Sequence, residues 1–269
     1  MTSLPRRLLR AAALAPAALA VAALLALAAL LASPDARAGD AFTVAVNDND
    51  RPFGYTDERG ELTGFNVDIA RALCRALAAE CRLVPARFPD FVPGVADGRF
   101  DFAVANLLRT PERERVVDFT GRLWRSSSSF MGRPGAVPDL KPASLAGKTI
   151  GVQKGGVQER WVKETLGAQA TVKTFDTIAE RNAALLAGNI DLALGSTVGN
   201  FVFLNSPDGA WFEIIGDPVF DQGLGGDVAI PVAKGREALH QRLNAALAAI
   251  LTDGTFSQIN VKYFPISVY

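Results

Sequence analysis

The chain is poor in the residues that most catalytic and metal centres use. It has one histidine and two cysteines in 269 residues. That excludes a histidine cage or a cysteine-clustered zinc or iron–sulfur site. No Gly-x-Ser-x-Gly, His-Glu-x-x-His or paired-cysteine metal pattern occurs, and His240 falls in a helix read as surface-facing. No cofactor or metal is expected. An excess of one charge is also missing, since 28 basic residues face 28 acidic ones. A balanced chain has no electrostatic reason to bind nucleic acid or an anionic membrane surface.

What the chain has in excess is confined to its start. Arg6, Arg7 and Arg10 precede an Ala/Leu-rich run from Ala11 to about Leu31, and Ala36-Arg37-Ala38 is a small-x-small cleavage site. This is the pattern of a secretory leader over residues 1–38. The run is nearly long enough to span a bilayer, so a retained anchor is the alternative. Pro34 and the small-residue site favour cleavage. Cleavage removes 38 of 269 residues and leaves 231, with 24 basic against 27 acidic side chains. Export gives the two cysteines a meaning. In an oxidising compartment Cys74 and Cys81 are expected to pair, the alternative being two buried thiols. Val67, Ala70, Leu73, Cys74 and Leu77 share one face of a helix predicted over residues 67–80. The bridge would tie its end to a strand at Leu83-Val84.

One phrase occurs twice. Gly98, Asp101 and Ala103 recur as Gly188, Asp191 and Ala193, each 90 positions on, and Thr43-Val44-Ala45-Val46 is echoed by Thr149-Ile150-Gly151-Val152. Each phrase follows a helix-like stretch and is itself strand-like. Two units with the same local order predict an α/β fold of two lobes. Ligands of open α/β sheets sit beyond the carboxyl ends of the strands, so two facing lobes make a cleft. Residues 126–135, with four serines and Pro134, read as one crossing between lobes, and the glycine-rich residues 221–226 as the return. Lobe 1 is then residues 39–128 and 227–269, and lobe 2 is residues 129–226 with the hinge segments. Thr110-Pro111-Glu112-Arg113 starts a helix, with a Thr N-cap, Pro first and an acid in the first turn. Asp176 is read as the cap of a helix running to about Ala187, and Leu239–Leu251 as a further helix.

In order and spacing, several phrases resemble the periplasmic solute-binding proteins of ABC importers, in the polar amino acid group. They are Arg51-Pro52-Phe53-Gly54-Tyr55, Gly64-Phe65-Asn66-Val67-Asp68-Ile69-Ala70, Gly98–Val104, Thr110–Arg113 with Val117-Asp118-Phe119-Thr120, Gly147–Gln153, Asp253–Phe256 and Lys262–Tyr269. The seven-residue separation of the cysteines is similar to that of the lysine/arginine/ornithine- and histidine-binding branch. The resemblance runs from about residue 42 to 269. It implies the two-lobed, type II-like periplasmic-binding-protein fold, with two chain crossings and a ligand cleft. It also implies a soluble, monomeric periplasmic receptor that is not an enzyme. Such a receptor delivers an amino acid-like or carboxylate solute to an ABC permease by hinge closure. A dehydratase-like enzyme on the same fold and a ligand-sensing partner of a membrane receptor are the alternatives.

The resemblance also assigns a site. Arg113 is implied to clamp the ligand's carboxylate, and a guanidinium fork suits that task on its own chemistry. A solvated arginine like Arg115 is the competing reading. Phe88 is implied to stack on the ligand, with ordinary core packing as its competitor. Asn106 takes a small polar position and can donate or accept. In Lys154-Gly155-Gly156-Val157, the N–H groups around Gly155 and Gly156 are implied to reach the carboxylate. Leu108 and Gly156 stand where relatives place hydroxyls, and Ser196 where they place an acid for the α-ammonium. Asn47 and Asp50 replace an acid and an aromatic. The carboxylate end is thus kept and the ammonium end rewritten, with Asp50, Asp221 or Asp227 as the candidate substitute acid.

Overall fold

The structure, a computed structural model, describes residues 40–269. The leader expected over residues 1–38 lies outside them. Before the first crossing come strands β1 (Ala41–Val46), β2 (Asn49–Asp50), β3 (Gly54–Thr56), β4 (Leu62–Thr63), β5 (Glu80–Pro85), β6 (Phe102–Val104) and β7 (Val117–Ser126). Beyond it lie β8 (Ser128–Gly132), β9 (Thr149–Gln153), β10 (Thr171–Phe175), β11 (Leu192–Ser196) and β12 (Glu213–Val219), and β13 (Gly226–Ala233) returns. They make two five-stranded sheets, ordered β5-β1-β6-β13-β7 and β10-β9-β11-β8-β12, with β2-β3-β4 as a small third sheet. In each large sheet the first three strands in that order are parallel, and the two strands at the crossings pair antiparallel. The fold is the expected two-lobed α/β body.

The sequence of β1 explains its place. Val44, Ala45 and Val46 are all fully buried, as a strand covered on both faces requires. Val44 and Val46 pack into a core with Leu73 of the helix Phe65–Ala76 and Leu243 of the helix Glu237–Thr252. Ala45 points the other way, toward Phe91 and Val95. A period of two thus divides one strand between two apolar layers.

The repeated phrase performs the same task in each lobe. The Asp101 carboxylate accepts from the Thr43 N–H at 2.8 Å, and the Asp191 carboxylate from the Thr149 N–H at 2.7 Å. Each aspartate returns a bond from its own N–H to the same threonine's carbonyl. Gly98 and Gly188 turn the chain with φ of +79° and +71°, where a side chain would be strained. Glycine to turn and aspartate to clasp the neighbouring strand are needed once per lobe.

The lobes are joined twice. The first crossing is Ser127, between β7 and β8, and the second is residues 220–225, between β12 and β13. The two run side by side. Ser126 pairs with Gly226, and the Ser128 hydroxyl donates to the Leu224 carbonyl at 2.6 Å.

Two elements differ from the sequence reading. The first helix ends at Ala76 rather than residue 80, because Ala78 takes a left-handed turn at φ +50°. The helix Ile178–Leu186 is capped by Thr177, not Asp176. Thr177 Oγ1 accepts from the Glu180 N–H while the Glu180 carboxylate accepts from the Thr177 N–H, both at 3.1 Å. That reciprocal box satisfies two donors at once, and a lone aspartate one residue earlier satisfies neither. Among the described residues no helix is long and apolar enough to cross a membrane.

Cys74 and Cys81 form the expected disulfide, with Cα atoms 6.1 Å apart, and tie the first helix to β5. The loop it closes is short, so Cys74→Ala with Cys81→Ala should cost about 2 kcal/mol of unfolding free energy. Urea denaturation of the mature protein measures this. An unchanged midpoint would remove the bridge from the stability of lobe 1.

Candidate functional site

The carboxyl ends of β1, β6, β9 and β11 lead to Asn47, Asn106, Gln153 and Ser196. These ends border a cleft with two cavities. The smaller, of about 50 Å³, lies between Asp50, Phe53, Phe88 and Asn106 on one lobe and Gln153, Gln158, Ile178, Arg181, Leu194, Gly195, Ser196 and Gly199 on the other. The larger, of about 530 Å³, is lined by Phe88, Leu107, Thr110 and Arg113 facing Gly155, Gly156, Val157, Glu159, Arg160 and Lys163. Phe88 lines both.

Arg113 sits in the short helix Pro111–Glu114, whose N-cap Thr110 accepts from the Arg113 N–H at 3.3 Å. Its guanidinium reaches across the cleft. Nη1 donates to the Leu108 carbonyl at 2.7 Å and Nη2 to the Gly155 carbonyl of the other lobe at 3.2 Å. The guanidinium carbon lies 5.7 Å from the Phe88 ring centre, a cation–π distance. Burial pulls its pKa down to about 10, so it stays charged at neutral pH. Beside it, Arg160 pairs with Glu112 across the cleft mouth.

The other end of the cleft is built around Asp50. Buried Asn66 donates to the side-chain oxygens of Asn47 at 3.3 Å and Asn106 at 3.2 Å. Those two amides in turn donate to one oxygen of Asp50, at 3.0 and 3.2 Å. Asn66 thus holds the other two amides with their donors toward one carboxylate. Burial raises the Asp50 pKa from 3.8 to about 7, against the pull of the Arg181 charge and of the amide hydrogen bonds.

Arg181 is the residue that the sequence reading missed. It is the one charged side chain among the buried residues described. Nε and Nη2 donate to Asn182 Oδ1 at 3.2 and 2.9 Å, Nη2 to Asn200 Oδ1 at 2.9 Å and Nη1 to the Leu194 carbonyl at 3.1 Å. Asn200 is held in that orientation because its own amide donates to Ser129. Burial lowers the Arg181 pKa to about 10, with Asp50 acting the other way. A Cβ on Gly195 would lie 1.9 Å from Nη1, so glycine there makes room for the guanidinium. The signal was present in the sequence. Arg181 falls between Ile178 and Leu185 on the stripe of its helix that meets the core.

The structure distributes the expected site residues as follows. Asp50, Asn106, Phe88 and Ser196 border the small cavity, and Arg113, Phe88, Gly155 and Gly156 the large one. Asn47 and Leu108 border neither. Asn47 braces Asp50, and the Leu108 carbonyl braces Arg113. The turn N–H groups are engaged within their own lobe, Gly155 with the Glu159 carboxylate at 2.7 Å and Gly156 with the Gln153 carbonyl at 3.2 Å. Ser196 lies 3.5 Å from Ser126, oxygen to oxygen. Of the three acids weighed as substitutes, only Asp50 lines the cleft. Asp221 is exposed, and the Asp227 carboxylate lies 4.0 Å from Arg125 on the sheet edge. Among the described residues there is no group of three histidines, cysteines or acids able to hold a metal ion.

The Asp50 shift makes stability depend on pH. Between its ordinary value of 3.8 and about 7, the folded protein keeps a proton that the unfolded chain has released. Stability should therefore fall as pH rises through that window, and Asp50→Asn should flatten the fall. Urea midpoints of ligand-free protein across the window check this. Equal slopes in wild type and variant would place the buried proton elsewhere.

Comparison with known proteins agrees with this architecture. Residues 42–266 match the family described as bacterial extracellular solute-binding proteins, family 3. The L-arginine-binding protein of Pseudomonas aeruginosa is 31% identical over 89% of this chain and 94% of its own length. The lysine/arginine/ornithine-binding periplasmic protein of Escherichia coli is 28% identical over 88% of this chain and 93% of its own. A solved ancestral arginine-binding protein bound to arginine superposes with a TM-score of 0.77 at 28% identity, covering 85% of this chain and all of that one. The relatives are binding proteins of transport rather than enzymes, and this chain, with a cleft between two lobes, belongs to the bacterial extracellular solute-binding proteins, family 3.

Proposed function

We propose that this chain is an exported, monomeric periplasmic receptor that grips a small carboxylate with Arg113, closes its lobes on it and presents it to an ABC permease. The observation that carries the reading is the position of Arg113. It is rooted in lobe 1 and hydrogen-bonded to the Gly155 carbonyl of lobe 2. A ligand carboxylate taken by the same fork couples binding to closure. Closure excludes water and strengthens every polar contact inside. The leader expected over residues 1–38 fits export, and the names of the relatives supply the periplasmic setting. Lobe 1 is taken as residues 39–128 and 227–269, and lobe 2 as residues 129–226, hinged at the paired crossings. Within the cleft Phe88 offers a ring face, Asn106 and Ser196 offer polar groups, and the Gly155-Gly156 turn forms the opposite wall.

A thermal-shift screen of the mature protein across amino acids, amines and small carboxylates identifies the ligand class, since a ligand that binds only the folded form raises its melting temperature. Arg113→Ala should then weaken the best ligand by about 2–4 kcal/mol in calorimetry, as expected for loss of a desolvated charge pair, with the fold intact. An unchanged dissociation constant would remove Arg113 from the site.

A further inference from the structure

Arg181 has no place in the carboxylate site around Arg113, and its surroundings point to a second ligand group. Its four hydrogen bonds use four of the five N–H hydrogens of a guanidinium. All four go to neutral acceptors, so no contact neutralises the charge. One Nη1 hydrogen remains, and Nη1 is the atom that fills the space left beside Gly195, on the wall of the small cavity.

The charges of that cavity then decide what can enter it. Its lining holds one acid, Asp50, and one base, Arg181; Asn106, Gln153, Gln158 and Ser196 are neutral. With Asp50 ionised, the two charges cancel across the cleft. An α-ammonium placed there finds only an acid already matched by Arg181 and leaves the closed cavity with an unpaired positive charge, which burial penalises. A keto or hydroxyl oxygen leaves the balance intact and accepts the remaining guanidinium hydrogen. A carboxylate is balanced as well once Asp50 binds a proton, and its pKa of about 7 puts that proton within reach.

We propose that the cavity between Asp50 and Arg181 takes an oxygen acceptor and disfavours an α-ammonium, so that the solute is a carboxylic acid carrying oxygen where an amino acid carries its amino group. This deepens the reading in which Arg113 holds the carboxylate, and it rests on that reading.

Isothermal titration of the mature protein with matched pairs tests it: pyruvate against alanine, oxoglutarate against glutamate, imidazolepyruvate against histidine, and the α-oxo analogue of arginine against arginine. Within a pair the side chain cancels. In the pair that binds best, the oxo acid should be at least tenfold tighter. Arg181→Gln should abolish that preference. Ser196→Asp, which adds a second acid to the cavity without touching the Arg181 hydrogen bonds, should shift it at least tenfold toward the amino acid. The wild-type ranking stands even where Arg181→Gln does not fold. Tighter binding of the amino acid by wild type overturns the inference and leaves the Arg113 site standing. A preference that survives Arg181→Gln also overturns it. No binding by any pair overturns both readings, and unchanged binding by Arg113→Ala overturns the carboxylate site whatever the ratio within the pairs.

Discussion

The two crossings between the lobes, laid edge to edge, constrain everything else in this molecule. Ser126 pairs with Gly226, and the Ser128 hydroxyl is held by the Leu224 carbonyl, so the chain leaves lobe 1 and returns to it through one narrow double strand. Leu224, within the returning segment, is fully buried. Two links lying side by side permit hinge bending. The carboxyl ends of β1 and β6 therefore keep facing those of β9 and β11, and the residues at those ends become the cleft.

Inside the cleft, buried charge is arranged differently at the two ends. Arg113 is braced by two carbonyls, one from each lobe. Asp50 and Arg181 belong to opposite lobes and each perturbs the other's ionisation. Neither is fully compensated by its own lobe. Desolvating such groups is costly, and a solute that supplies the missing partner recovers part of that cost on closure. The amide network from Asn66 through Asn47 and Asn106 fixes one Asp50 oxygen in place.

Much of this was legible in local sequence because local physics enforces it. Gly98 and Gly188 must turn the chain at positive φ, and Asp101 and Asp191 must satisfy a strand N–H, so the repeat of Gly and Asp at a fixed offset revealed two lobes. Cys74 and Cys81 were readable as a pair because one closes the apolar face of a helix and the other begins the next strand. Arg113 was singled out by the family resemblance, and its helix start, capped by Thr110, was legible locally. The cap of the helix Ile178–Leu186 was misplaced by one residue, because Asp176 and Thr177 are both good caps and only the Glu180 side chain chooses between them.

The sequence by itself determined the two lobes, the disulfide and the apolar layers, since each depends on neighbours within a few residues or on a repeated pattern. Only the tertiary structure decided which acid lines the cleft and what faces it. Asp50, Asp221 and Asp227 are equivalent in a linear reading, and the fold half-buries the first in the cleft while leaving Asp221 exposed and Asp227 on β13 beside Arg125 of the edge strand. Arg181 went unnoticed in the sequence, because its significance needs Gly195 of β11 against it and Asp50 of lobe 1 across the cleft. Electrostatics in a low-dielectric space depends on distances that cross the hinge, and no local pattern encodes them.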